Sequence, residues 1–333
     1  MSRLRVAAGL AVSGALAAWL LARVDLRELG RLLASADWWW TLPALALAPV
    51  VLWLRAIRWR YLFPPRFDPP GLVAANMIGY MANNLLPLRA GELVRVYVVG
   101  RRLRMARAVA LGEGMWLTAA TLLVERIIDS VTIVLILGAL VLVMPIPAAF
   151  RYAAIVVLGI DAVAAGALVA LAARPEAVKG VAFRLTARWP AVERRVHAGL
   201  DLLLRGLEGV RARGHLAPLL GWTVVVWTLG ALAAWTLTWA LHLDVPFLAG
   251  WTIMTFVAFG VSIPSAPGYV GVWHAAAMLA LTLFGVPDGA ALGYAILYHA
   301  SQYVPITLIG WGVLLREHVT LGEATGARVR EPA

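Results

Sequence analysis

The stretch NNLLPLRAGELVRV, Asn83–Val96, decides how the whole chain is read. Asn83, Asn84, Arg89, Glu92 and Arg95 fall within it, with Pro87 and Gly91 between them, and apolar sequence lies on both sides. Such a cluster is either a loop in water or a site inside a membrane, and composition separates the two. Hydrophobic residues make up 62% of the 333 residues, charged residues only 14%, and the mean hydropathy is +0.82. A soluble domain has roughly half apolar and about a quarter charged residues. The chain therefore reads as a polytopic helical membrane protein.

The remaining bulk properties agree. The net charge of +11 is carried by arginines at the ends of apolar runs and in one long segment between them, as the positive-inside rule requires. Without a recognition motif, basic character is no argument for nucleic acid. The absence of cysteine excludes disulfides, thiolate-bound metal and thiol catalysis. No HExxH-type spacing and no nucleotide-binding motif occurs, so neither a metal nor a cofactor is expected.

A membrane span needs about 20 mostly apolar residues. Six segments approach or exceed that length: 5–22, 38–56, 115–144, 151–173, 216–241 and 290–315. Arg3 and Arg5 before the first run resemble a signal peptide, but no small-x-small cleavage site follows and Arg23 comes directly after it, which favours a retained helix. Two more apolar stretches, 71–100 and 247–285, are broken by Pro and Gly. In VDLRELGRLLASAD, Leu26, Leu29, Leu32 and Leu33 recur at helical spacing opposite Arg27, Glu28 and Arg31, the pattern of a short helix lying in the interface. Trp38, Trp39 and Trp40 then stand where an aromatic belt would anchor the next span. The basic segment 174–215 contains the amphipathic VERRVHAGLDLLLRGLEGV and belongs in the cytoplasm, as a connector or as a regulatory surface.

Charge bookkeeping then sets the topology. Arg3 and Arg5 hold the N-terminus inside, Arg55, Arg58, Arg60 and Arg66 hold the end of the second span inside, and Arg101, Arg102, Arg104 and Arg107 also demand the inside. The stretch 71–100 must enter and leave by that face. With Arg316 inside at the C-terminal end, 247–285 must do the same from the opposite face. The two stretches share Pro-x-x-x-Gly, Pro87 with Gly91 and Pro264 with Gly268, which suits an inverted repeat of broken helices. The expected fold class is an all-α integral membrane bundle of six full spans and two opposed re-entrant hairpins. It forms one transmembrane domain over 1–318 with a tail at 319–333.

A helix broken at membrane depth is tolerated only against protein or water. Proline suits the first turn of a helix, so Asn83–Leu86 reads as the break and Pro87 as the new start, with free N–H groups that attract anions. Gly91 permits close backbone approach. Arg89, Glu92 and Arg95 form one ladder on a helix, with Glu92 placed to pair with either arginine; Leu93, Val96 and Val99 fall on other faces. ERIID supplies Glu125, Arg126 and Asp129 between two apolar runs, and its two acids need a second base, which Arg89 or Arg95 would provide. Intramembrane charges are costly and point to function. SIPSAPGYVGVWHAA places Pro264, Gly268, Tyr269, Gly271 and His274 at the second break; close approach to a head group and a tight helix turn both fit it. Asp161, alone in an apolar span, fits a proton site or a packing hydrogen bond.

LRAIRW (Leu54–Trp59), NNLLPLRAGELVRV, ERIID and SIPSAPGYVGV, in this order, resemble the flippase-like family, the transmembrane region of lysylphosphatidylglycerol synthases and its stand-alone relatives. The most specific part is NxxPxRxGExxR: Asn84, Pro87, Arg89, Gly91, Glu92 and Arg95. The resemblance implies a non-enzymatic transporter that moves an anionic phospholipid or lipid-linked head group across the inner membrane, with membrane lipids and an envelope-biosynthesis enzyme as partners. A synthase would continue into a large soluble domain; with 17 residues after Arg316, aminoacylation by this chain alone is not expected. The alternatives are a membrane-embedded transferase using a lipid-phosphate donor, with Glu125 and Asp129 as base or metal ligands, and a non-catalytic scaffold. Both chain termini are expected in the cytoplasm.

Overall fold

In the computed structural model, residues 25–86, 90–106, 109–146, 148–262 and 265–317 are described, together with residues 14–16, 18 and 20, which are helical. Every regular element among them is a helix. The short helix expected from the leucine spacing is α1 (Leu26–Ala34), capped by Asp25, whose carboxylate accepts from the Arg27 amide at 2.8 Å. A turn of 3-10 helix over Trp38–Trp40 leads into α2 (Thr41–Arg60). Then follow α3 (Leu72–Leu85), α4 (Gly91–Met105), α5 (Leu111–Val143) and α6 (Ala148–Ala173). The basic segment folds as α7 (Pro175–Thr186) and α8 (Pro190–Arg211). The last third comprises α9 (Leu216–Thr236), α10 (Phe247–Gly260), α11 (Val272–Thr282) and α12 (Asp288–Glu317).

Three stretches are long and apolar enough to cross a membrane, Trp38–Arg60, Leu111–Val143 and Leu216–Leu241. They match the expected spans 38–56, 115–144 and 216–241. The span expected at 151–173 is α6, which bends by 114° into α7. The one expected at 290–315 falls on α12, whose 30 residues extend about 45 Å but which is not among the stretches apolar enough to count as a span. Most of 5–22 and the tail from 318 onward lie outside the described residues. Large apolar side chains stand on the outside of the bundle, among them Leu135, Leu142, Ile155 and Val163. An apolar surface of this kind is what a lipid-facing helix presents.

The two broken stretches form two pairs of short helices, α3 with α4 and α10 with α11, each pair packed against itself. At 11 to 15 residues, each helix extends about 17–23 Å and falls short of the ~30 Å hydrocarbon core. The breaks differ from expectation in detail. Asn83 and Asn84 belong to the last turn of α3, and the chain turns extended only at Leu86. The described part of α4 runs from Gly91, and the Asn83 side chain holds its first turn: its Oδ1 accepts from the Gly91 amide at 2.9 Å; the expected start at Pro87 lies outside the described residues. Pro87, Arg89 and Pro264 lie outside the described residues. The matched glycines are not conformational equivalents. Gly91 opens a helix, whereas Gly268 sits at φ +72° in a 3-10 turn over Pro267–Tyr269, and the second helix of that pair starts at Val272 after Gly271, at φ +85°.

Glycine has a steric task in the first pair. A Cβ on Gly91 would collide with the Gly79 carbonyl oxygen and the Asn83 side chain, so the bare backbone is what lets α3 and α4 lie against each other. Over-packing such a contact costs about 1–3 kcal/mol. Gly91→Ala is expected to lower the thermal unfolding temperature of the purified protein by several degrees, and Gly312→Ala, where an added Cβ meets nothing within 4 Å, to leave it within about a degree. Equal melting of the two variants would contradict this packing.

Candidate functional site

The site is built where α2, α4 and α5 face one another. Arg55 and Arg58 are one turn apart on α2, and Glu125 and Asp129 one turn apart on α5, so both pairs present a single face. Arg58 lies between the two acids. Its Nη1 donates to Asp129 Oδ1 at 2.6 Å and its Nη2 to Glu125 Oε1 at 3.1 Å. Arg95 of α4 reaches the other oxygen of Glu125 at 2.8 Å, and Arg55 reaches the other oxygen of Asp129 at 3.0 Å. Arg58, Arg95 and Glu125 are each 1% exposed and Asp129 6%. The Arg95 guanidinium lies 4.2 Å from the centre of the Trp59 ring, and the Trp59 indole N–H donates to Thr121 Oγ1 at 3.0 Å. These contacts fix Arg95 by cation–π attraction as well as by its ion pair. A second pair, Arg126 Nε to Glu92 Oε1 at 3.1 Å, joins α5 to α4 in a less buried position.

Four arginines (Arg55, Arg58, Arg95 and Arg126) thus meet three carboxylates (Glu92, Glu125 and Asp129). One positive charge is left over among the described residues. Buried ion pairs do not by themselves stabilise a fold, because desolvation offsets their attraction. Guanidinium forks shared between two carboxylates, as at Arg58, recover the most.

The pairing corrects several expectations. Arg55 and Arg58 are held in this network rather than exposed at the end of the second span; the exposed arginines there are Arg60 and Arg66. Glu92 does not pair along its own helix with Arg95 but across to Arg126. The second base that Glu125 needed is supplied by Arg95, as allowed for, and by Arg58, which was not foreseen. Leu93 faces outward, 61% exposed, whereas Val99 is fully buried.

Beside the network lies a cavity of about 450 Å³. Arg55, Arg126, Asp129 and Glu92 line one side, with Tyr80, Asn83 and Asn84. Helices α9 to α12 line the other with Trp227, Trp273, Tyr298, His299, Gln302 and Tyr303, and Tyr269 joins them from the second break. Of the residues singled out from sequence, Asn83, Asn84, Glu92, Arg126, Asp129 and Tyr269 border the cavity. Arg95 and Glu125 stand behind it in the network. His274 sits one layer back, its ring 4.9 Å from that of His299, and its Nδ1 accepts from the Gly271 amide at 3.3 Å.

The two broken pairs meet at this cavity. Helix α3 packs against the turn Pro267–Tyr269. An added Cβ on Gly268 would stand 3.4 Å from the Asn84 carbonyl oxygen. The Asn84 amide donates to Thr307 Oγ1 at 2.9 Å, and the Tyr303 hydroxyl points to the Asn84 carbonyl at 3.5 Å. Asn83 and Asn84 therefore serve the break itself, one capping α4 and the other tying α3 to α12 beside Pro305.

A helical membrane bundle with two broken helix pairs and a buried ionic network beside a cavity lined by apolar, aromatic and charged side chains defines the class: an integral membrane protein with a cavity among its helices. The chain belongs to the family described as the lysylphosphatidylglycerol synthase TM region, whose model matches residues 6–310. No curated protein and no solved structure matches the chain significantly.

Removing one member of a buried ion pair strands the other, at about 3–5 kcal/mol. Arg58→Met is therefore expected to lower the thermal unfolding temperature by roughly 5–10 °C. Arg58→Lys should recover only part of this, since one ammonium cannot present a fork to two carboxylates. Arg60→Met, at a side chain 64% exposed, should change it by at most about 2 °C.

Proposed function

We propose that this protein moves a lipid with an anionic head group across the cell membrane, the head group passing through the cavity while the acyl chains stay in the surrounding lipid. The observation that carries this reading is the surplus positive charge of a buried network that borders an internal cavity. A cationic excess held away from water attracts a phosphate and gives little to a neutral solute. Membership of a family named for a lipid synthase's membrane region supports a role in lipid handling. On this reading the two broken pairs are re-entrant, enter from opposite faces of the inner membrane and form the two sides of an alternating pathway. The basic segment α7–α8 then lies on the cytoplasmic face, as do both termini.

A transferase that uses Glu125 or Asp129 as base or metal ligand is less well supported. Each of these carboxylates already accepts from two arginines, which leaves it engaged. The transporter reading needs no chemistry from this chain and draws its driving force from a gradient or from downhill flow.

The test is translocation of a labelled anionic phospholipid in reconstituted vesicles. A charge-assisted hydrogen bond contributes about 1.5–3 kcal/mol. Arg55→Gln and Arg126→Gln, at cavity-lining positions, are each expected to slow translocation by at least about tenfold. Arg89→Ala and Glu92→Gln test the sequence motif in the same assay. Wild-type rates in all four variants would overturn the proposal.

A further inference from the structure

Two histidines hold the turn at the second break. His274 Nδ1 accepts from the Gly271 amide at 3.3 Å, and the His299 ring is hydrogen-bonded to the Gly268 backbone. The two rings lie 4.9 Å apart, edge to face. What they hold is not a relaxed turn. Gly268 and Gly271 sit at φ +72° and +85°, and Tyr269 between them at φ +58°, a conformation that side chains rarely adopt. Such backbone persists only where its surroundings enforce it. An imidazole nitrogen accepts a hydrogen bond only while it carries no proton. A proton on His274 Nδ1 therefore removes the acceptor of the Gly271 amide and frees one end of the turn.

His299 also lines the cavity, so the pair has a route to water and to whatever the cavity holds. The Trp273 ring stacks on it at 5.2 Å, a face that attracts a cation. The other charged and titratable groups lining the cavity are Arg55 of α2, Tyr80 of α3, Glu92 of α4, Arg126 and Asp129 of α5, Tyr298 and Tyr303 of α12, and Tyr269 of the turn; α9 and α10 contribute none among the described residues. Both carboxylates are engaged by arginine. Arginine does not give up its proton, and a tyrosine ordinarily does so only near pH 10. Histidine is the side chain that ordinarily changes charge between about pH 5 and 8. We propose that His274 and His299 form a proton site that loosens the turn of the second break when occupied, so that passage of the anionic lipid is coupled to proton uptake. This rests on the anionic-lipid reading above and supplies its driving force. The rings are too close for both to be charged, so the pair takes one proton. An anionic head group beside Arg55 and Arg126 offsets the added charge, and each ligand then favours the other. The proton enters from water at one face and leaves to water at the other.

Hydrogen exchange of the purified full-length protein, read by mass spectrometry over residues 266–274 at about pH 4.5 and about pH 8 and corrected for the intrinsic pH dependence, tests the proton site. The Gly271 amide is expected to lose protection at least about fivefold at the lower pH. His274→Asn keeps an acceptor in place of Nδ1 but takes up no proton, and should show no such loss. His242→Asn, at an exposed position where φ is +53°, should behave as the wild type. Equal protection at both pH values, or a loss that persists in His274→Asn, overturns the inference. Coupling is read in vesicles as movement of labelled phosphatidylglycerol with the membrane potential clamped. A gradient of about two pH units should change the rate at least about fivefold in the wild type and less than about twofold in His274→Asn and His299→Gln. Lipid movement that ignores the gradient overturns the coupling and leaves the proposed function standing. No movement under either condition overturns the proposed function, while the exchange measurement still decides the proton site.

Discussion

Arg58 held between Glu125 and Asp129 is the constraint around which the rest of the molecule is arranged. Each charge would be prohibitively costly to bury alone, by several kcal/mol after relaxation, so none of the three can be placed before the others. Helix α2 supplies the arginine and α5 both acids, and the one-turn spacing on each makes the match a property of two helix faces. Arg95 and Arg55 take the remaining oxygens, which brings α4 into register and leaves Asp129 at the edge of the cavity. The ion pairs thus act less as a source of stability than as a specification of which helices meet and at what rotation.

The broken pair α3–α4 follows from that placement. Arg95 has to reach Glu125 from a helix too short to cross a bilayer, and its partner helix has to lie close enough to support it. The Gly79–Gly91 approach provides the closeness, and the Asn83 cap provides the helix start. At the other end of α4, Arg102 donates to the carbonyls of Pro70 and Gly71 and pairs with Glu317 of α12 at 2.5 Å, tying the pair to the C-terminal helix. The basic segment is also docked. Arg66, just after α2, pairs with Glu208 of α8 at 2.7 Å, and His215 Nδ1 lies 3.0 Å from the Tyr61 carbonyl. The helices that carry the network are therefore tied by direct contacts to elements on the surface of the bundle.

The helices, the two broken stretches and the short helix α1 were legible from hydropathy and helical spacing, because membrane helices are dictated by local composition. The acids of ERIID and the need for a further base were legible too, since charge inside apolar sequence must be balanced. Arg55 and Arg58 were misplaced for a physical reason. An arginine at the end of an apolar run looks the same whether it anchors the run in the interface or is buried against acids 67 and 74 positions away, and only the three-dimensional pairing separates the two. The bond that holds the first turn of α4 was not legible, because Asn83, which accepts from the Gly91 amide, lies eight positions back in the preceding helix. Gln302 was legible as a polar group on a late apolar stretch, but that it borders one cavity with Trp227 and Trp273 was not. These residues lie on three separate helices with no sequence motif in common, and each taken alone is an ordinary packing residue.

The most direct measurement is a double-mutant cycle across the central pair, with Arg58→Met, Asp129→Asn and the two combined, read as thermal unfolding of the purified protein. If Arg58 and Asp129 are buried against each other, each single change strands the other side, and the double variant loses less than the sum of the two singles. Contacting charges of this kind couple by about 0.5–3 kcal/mol. Strictly additive losses would show that the two side chains do not meet inside the bundle, and the account of the site would fall with them.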